Sequence, residues 1–144
     1  MNNSPACVDA NLVIHLVADP EDHVIRSLWE RWDAGNRRIV APDLLFYEVS
    51  NALYRYQRAG VMGGQAVRLA LKAALALPIR LYGRPELHAR AVDLAERLSF
   101  AAAYDSHYLA LAEWLGAEFW TADRRLGRAA QDELPWVRVV DGPR

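Results

Sequence analysis

Cysteine is almost absent: Cys7 stands alone among 144 residues. No intramolecular disulfide can form, and no CxxC pair offers a structural zinc or redox site, so a cytoplasmic location is expected. No apolar run approaches the roughly 18 residues of a membrane helix, and Met1-Asn2-Asn3-Ser4-Pro5 has neither the charge nor the apolar core of a signal peptide. Secretion and membrane spanning are therefore not expected. Lysine is as scarce as cysteine, with Lys72 set against 16 arginines. A phosphoacceptor receiver domain needs a lysine to grip the phosphoryl group, and Lys72 falls inside a helical stretch before a middle strand. The four histidines, His15, His23, His88 and His107, show no HxxxH or HxH spacing, which disfavours a zinc hydrolase. Neither sign of charge dominates: 17 basic against 18 acidic residues leave a net charge of -1. That balance argues against a binder driven by a long-range field.

What is present is an apolar fraction of 53%, enough for one domain with a real core, expected over residues 1–144. Proline and glycine divide the chain into short strand-like runs and longer helical ones, the pattern of an α/β fold with a central parallel sheet and helices on both faces. The strand-like runs are Ala6-Cys7-Val8, Ile39-Val40-Ala41, Ile79 to Tyr82, Glu118 to Thr121 and Trp136 to Val140. Helices are expected from Asp19-Pro20 to about Asp33, and from Asp43 to Ala59. Others should run from Gln65 to Ala76, Pro85 to Leu98 and Tyr104 to Leu115, with a short basic helix after Asp123. Leu12 to Val17 is an apolar stretch with no assigned element.

Four acids fall in unusual places. Asp9 directly follows the first strand and Asp123 comes two residues after Thr121, and ligands of open parallel sheets bind at the carboxyl ends of strands. Glu48 lies on the edge of a core-facing helix surface, beside Leu44, Leu45, Val49 and Ala52, where an unpaired carboxylate is costly. Asp105 opens a helix, and its ordinary reading is a cap for free N–H groups. Each acid alone has such a structural explanation. Together they would repel one another unless a cation neutralised them, and an all-oxygen donor set suits Mg²⁺ or Mn²⁺, as one or two ions. A haloacid-type phosphatase would need D-x-D after its first strand, and Asn11 occupies the second position.

Three blocks, VDANLVIHL, PDLLFYEVSNALYRYQRAG and YDSHYLALAEWLGAEFWTAD, taken in this order and spacing, resemble the PIN-domain nucleases. More closely they resemble the VapC-type toxins of type II toxin–antitoxin pairs. The resemblance covers almost the whole chain and implies a sheet with the first strand central. It implies that Asp9, Glu48, Asp105 and Asp123 bind metal, and that Asn11 and Thr121 support metal and water. It further implies an endoribonuclease that hydrolyses RNA phosphodiesters, a VapB-like antitoxin and a homodimer. His107 and the bulky Phe119-Trp120 pair depart from the commonest family pattern, and neither removes an acid.

Phosphate contacts to RNA are expected from Arg55 and Arg58, beyond Glu48 on its helix, and from Arg124, Arg125 and Arg128, which follow Asp123. Trp29, Trp32, Tyr47, Tyr54 and Tyr56 are expected in the core or a subunit interface more than as base-stacking groups. Apolar side chains on the helix from Asp43 to Ala59 are expected to flank an antitoxin helix. A standalone RNA-processing nuclease of the same fold, or a non-catalytic α/β binding module, stays open as an alternative.

Overall fold

The first strand, β1 (Ala6–Val8), is completely buried along its length, and the sheet explains why. In this computed structural model, which describes residues 3–140, five parallel strands stand in the order β3-β2-β1-β4-β5. The others are β2 (Ile39–Pro42), β3 (Ile79–Tyr82), β4 (Glu118–Thr121) and β5 (Val137–Val139). Ala6 and Cys7 pair with Ile39 and Val40 on one side and with Glu118 and Phe119 on the other. A strand enclosed on both edges and both faces reads as a continuous apolar run. The expected domain limits of 1–144 extend beyond the described residues at both ends, and Met1 and Asn2 of the N-terminal reading lie outside them.

Seven helices are found among the described residues: α1 (Ala10–Ala18), α2 (His23–Ala34), α3 (Leu44–Arg58), α4 (Gly64–Leu75), α5 (Glu86–Arg97), α6 (Tyr104–Leu115) and α7 (Arg124–Gln131). α1 packs with α2, α3 and α4, whereas α5 packs on α6, which lies against β1, β2 and β4. The most enclosed helix is α6. Tyr108, Leu109, Leu111 and Ala112 are all fully buried, and the helix ends at Gly116 with φ +63°, a left-handed cap that costs glycine no Cβ clash.

Two boundaries differ from the sequence reading. Leu12 to Val17 lies within α1, whose N-cap is Asp9. A buried apolar stretch this short carries no periodicity that separates helix from strand. The helix expected from Asp19-Pro20 starts instead at His23, where Asp22 accepts the Ile25 N–H at 3.1 Å. Both Asp19 and Asp22 are acceptable caps in sequence, and the turn between them is settled by the Asp22 N–H donating to the Asp19 carbonyl.

At the amino ends of the strands, Glu118 accepts from Arg37 at 2.5 Å and pairs with Arg138 at 3.0 Å. Arg37 also donates to the Ser4 carbonyl. This clasp joins the N-terminal segment to β4 and β5, and it leaves the carboxyl ends free for chemistry.

Candidate active site

β1 and β4 are neighbours, so the residues that follow them emerge side by side. Asp9 is 7% exposed and serves as the N-cap of α1, its Oδ1 accepting from the Ala10 N–H at 2.7 Å. Its Oδ2 accepts from the Thr121 hydroxyl at 2.7 Å and from the Asn11 amide at 3.2 Å. Thr121 is fully buried at the end of β4, and its oxygen in turn accepts from the Asp123 N–H at 3.0 Å. Asn11 closes the arrangement, its Oδ1 accepting from the Ala122 N–H at 3.0 Å and its amide reaching Thr121 at 3.3 Å. Asn11 and Thr121 thus bind both strand-end acids into one hydrogen-bonded unit.

Glu48 reaches the same region from α3. The buried stripe Leu45, Val49 and Leu53 fixes the rotation of that helix and sets Glu48 at the edge of the core. Its Oε1 accepts from the Tyr108 hydroxyl at 2.5 Å. Tyr108, three residues after Asp105 on α6, is a contributor that sequence reasoning missed. The signal was available, since i and i+3 share a helix face, but an aromatic in an apolar helix reads as core, and Tyr108 is also that.

The ordinary helix-cap reading of Asp105 does not apply. The N-cap of α6 is Ala103, and Asp105 sits within the first turn, where no side-chain cap bond forms. Capping needs a residue just outside the helix, and Asp105 is two residues past Ala103. It lines a cleft of about 580 Å³ together with Glu48, Asp123, Arg125 and the segment from Leu98 to Ala102. Asp123 caps α7, accepting from the Arg125 and Leu126 N–H groups through Oδ1, so its structural role and its place in the cleft coexist.

The acids are coupled electrostatically. Burial pushes Asp9 up to about 7, with the Asp105 and Glu48 carboxylates adding to the rise and the Thr121 and Ala10 bonds opposing it. Glu48 is raised by burial and by Asp105, against the Tyr108 bond. Asp105 is raised by burial and by Asp123. Asp105 therefore links the other three. The charges acting on Asp9 are both negative, and a buried carboxylate with only like charges beside it has the chemistry of a cation site. A carboxylate has about four lone-pair positions, and three on Asp9 are used, which leaves room for one more partner. The donor set is all oxygen and fits a hard divalent ion.

Of the arginines expected near RNA, Arg125 lines the cleft. Arg124 and Arg128 are exposed on the same helix. Arg55 and Arg58 are exposed in the last turn of α3, away from the cleft lining. On this helix Leu45, Val49 and Leu53 are spent in the core, while Asp43, Phe46, Tyr47 and Ser50 line a groove with Leu81. Trp29 and Trp32 are buried, whereas Tyr47 and Tyr54 are exposed by 75% and 56%.

The histidines are less isolated than their spacing suggests. His15, Asp19 and Asp22 bring one donor atom each within 4.8 Å of one another at the α1–α2 junction. His88 and His107, 19 residues apart, are hydrogen-bonded at 2.9 Å. Both groups form through a turn or across two helices, which no local spacing rule detects.

The sequence profile of the PIN domain matches residues 6–132. Ribonuclease VapC3 of Mycobacterium tuberculosis is 33% identical over 122 residues, 85% of this chain and 85% of that protein. VapC ribonuclease Mb0985 of Mycobacterium bovis is 33% identical over 103 residues, 72% of this chain and 78% of that protein. Among solved structures, a toxin–antitoxin complex from Klebsiella pneumoniae superposes with a TM-score of 0.68 at 18% identity, over 96% of this chain and 99% of that one. The structure of VapBC2 from Rickettsia felis bound to a DNA fragment from its promoter gives 0.69 at 11% identity, over 94% and 98%.

Proposed function

This chain belongs to the PIN domain family, and from that membership we propose that it is a metal-dependent endoribonuclease, the toxin of a toxin–antitoxin pair. The observation that carries the reading is the convergence of four acids from different segments: Glu48, Asp105 and Asp123 line one cleft, and the buried Asp9 is coupled electrostatically to Asp105 and Glu48. Conserving a fold does not require four acids to face one another, because their repulsion is a cost to the folded chain.

Asp9, Glu48, Asp105 and Asp123 would hold Mg²⁺ or Mn²⁺, as one or two ions. A bound ion of this kind supplies a water of lowered pKa and neutralises charge on a reacting phosphodiester. The chain's own part is positioning. Thr121 and Asn11 hold Asp9 Oδ2, and the Tyr108 hydroxyl holds Glu48. Such outer hydrogen bonds fix the direction of a ligand's lone pairs. Arg125, on the rim, presents a guanidinium to a phosphate. Asp123 is braced by two backbone N–H groups at the α7 N-terminus.

A VapB-like antitoxin, a homodimer and a cytoplasmic setting complete the proposal, with residues 1–144 as a single nuclease domain. Support for the antitoxin comes from the relatives, which are VapC ribonucleases, and from the likeness of the fold to a chain of a toxin–antitoxin complex. The exposed Tyr47 and Tyr54 on α3 and Trp114 on α6 support a subunit interface.

The test is cleavage of single-stranded RNA by the purified protein with Mg²⁺ or Mn²⁺, with EDTA, and by Asp9→Asn. Cutting should require the ion and vanish in the variant. Cutting that ignores EDTA would sink the metal reading. No cutting under any condition would leave a non-catalytic binding module.

A further inference from the structure

A second, smaller cleft of about 200 Å³ shares helices α3 and α6 with the cleft of Glu48, Asp105 and Asp123, and is lined by Asp43, Tyr82, Arg84, His88 and His107 among others. It lies at the carboxyl ends of β2 and β3, on the same rim of the sheet as Asp9 and Asp123. Two helices run from one cleft to the other. On α3, Leu44 lines the small cleft and Glu48, one turn later, lines the large one. On α6, His107 lines the small cleft and Asp105 the large one. One helical turn advances about 5.4 Å, so a polynucleotide laid across the acids places its next residue over the small cleft.

The hydrogen-bonding character of that cleft follows from its geometry. His107 Nδ1 meets the Ala103 carbonyl, which only accepts, so Nδ1 carries the hydrogen. In that tautomer His107 Nε2 carries a lone pair, and the 2.9 Å contact makes His88 Nδ1 its donor. His88 Nε2 is left with a lone pair, on an exposed residue. The second polar group is the Asp43 carboxylate, also an acceptor, packed so closely on Gly83 that a Cβ there would lie 1.9 Å from Oδ2. The cation is Arg84, whose guanidinium lies over the Trp114 ring at 4.5 Å and pairs with Glu86 at 3.0 Å, both partners well exposed. The cleft therefore combines two acceptors, one cation and the Tyr82 ring, in a space suited to one flat base.

We infer that this cleft binds the nucleotide adjacent to the cleaved bond and selects a base with an amino donor on its edge, the acceptors being His88 Nε2 and the Asp43 carboxylate. The inference rests on the ribonuclease reading. Cytosine presents an amino group where uracil presents a carbonyl oxygen, so the pair isolates the selected feature. Single-stranded RNA is recognised on such edges. Arg84 meets the backbone phosphate, which carries no sequence information.

The test uses fluorescein-labelled cytidine and uridine oligoribonucleotides, with anisotropy read in EDTA so that binding is separated from cleavage. The full-length wild-type chain should bind the cytidine oligomer about threefold to tenfold more tightly, the weight of one net hydrogen bond. His88→Phe, which keeps a ring and loses the acceptor, and Asp43→Asn, which turns an acceptor oxygen into a donor, should each shrink that ratio towards one. Arg84→Gln should weaken both oligomers alike and lower the slope of log affinity against log salt by about 0.7. Equal binding of both oligomers by the wild type, or a preference that survives His88→Phe and Asp43→Asn, overturns the inference. Cleavage of mixed-sequence RNA with Mg²⁺ is scored separately. Cleavage without base preference defeats the subsite alone, whereas absence of RNA binding and of cleavage defeats the ribonuclease reading with it.

Discussion

The Thr121 hydroxyl donates to Asp9 Oδ2 at 2.7 Å while its oxygen accepts the Asp123 N–H at 3.0 Å, so one buried side chain registers two acids that arrive from different strands. Thr121→Ser keeps the hydroxyl and should retain most RNA cleavage. Thr121→Val keeps the shape and removes the donor, which should cost about 1–3 kcal/mol of stability. It should also push the Asp9 carboxyl higher, since the Thr121 bond is the largest effect holding it down. Cleavage rates and thermal melts of both variants check this. Equal losses in the two would reduce Thr121 to packing.

The raised Asp9 carboxyl, at about 7 against an ordinary 3.8, fixes the sign of a pH effect on the metal-free protein. Between those values the folded chain retains a proton that the unfolded chain has released, so stability falls as pH rises from about 4 to about 7. A three-unit displacement corresponds to about 4 kcal/mol. Burial raises Glu48 and Asp105 as well, in the same direction. Melting in EDTA across this range should show the decline, and Asp9→Asn should flatten much of it while abolishing cleavage. A wild-type melting temperature that climbs through the window would contradict the electrostatics of the site.

Much of this site was legible because its acids follow buried apolar runs. Ala6-Cys7-Val8 reads as a strand by composition, and an acid directly after it stands at the carboxyl end of a strand, where open parallel sheets bind ligands. The same holds for Asp123 after the strand that ends at Thr121. The two readings of Asp105, cap or site acid, could not be separated in sequence, since a cap and a first-turn acid differ by one or two residues, a difference set by where the backbone turns at Ala103. What stayed hidden depends on packing across elements. Tyr108 meets Glu48 over 60 residues of separation and His88 meets His107 over 19. The stripe Leu45, Val49 and Leu53 was legible as core-facing from its periodicity, and it is buried.

Tyr108 is buried and its phenol is raised by burial and by the nearby Glu48 and Asp9 carboxylates, so it stays protonated and serves only as a donor to Glu48. Tyr108→Phe should leave the core filled and deprive Glu48 of that donor, pushing its carboxyl higher. Divalent-ion affinity, read by titrating Mn²⁺ against the melting temperature, should then fall at pH 6 more than at pH 8, because a carboxyl that holds its proton longer competes poorly for the ion. An unchanged Mn²⁺ response at both pH values would place Glu48 outside the metal site.

The last expectation concerns the inhibitory partner. Without an ion, the cleft lined by Glu48, Asp105 and Asp123, with the buried Asp9 coupled to it, is a concentration of negative charge with Arg125 at its rim. An arginine from an antitoxin segment can enter such a cleft and bind carboxylates through paired N–H donors. The apolar stripe of α3 is committed to the core, so a partner on that helix would meet its other face, where Phe46 and Tyr47 line a groove. The inserted guanidinium and the divalent ion would then want the same oxygens. Inhibition by the purified antitoxin should weaken as Mn²⁺ is raised at constant ionic strength, and replacing its inserted arginine with alanine should weaken it further. Raising NaCl to the same ionic strength separates competition from screening, since screening acts through ionic strength alone. Inhibition that responds equally to Mn²⁺ and to NaCl, and that survives loss of the arginine, would mean the partner blocks RNA from another surface and leaves the carboxylates untouched.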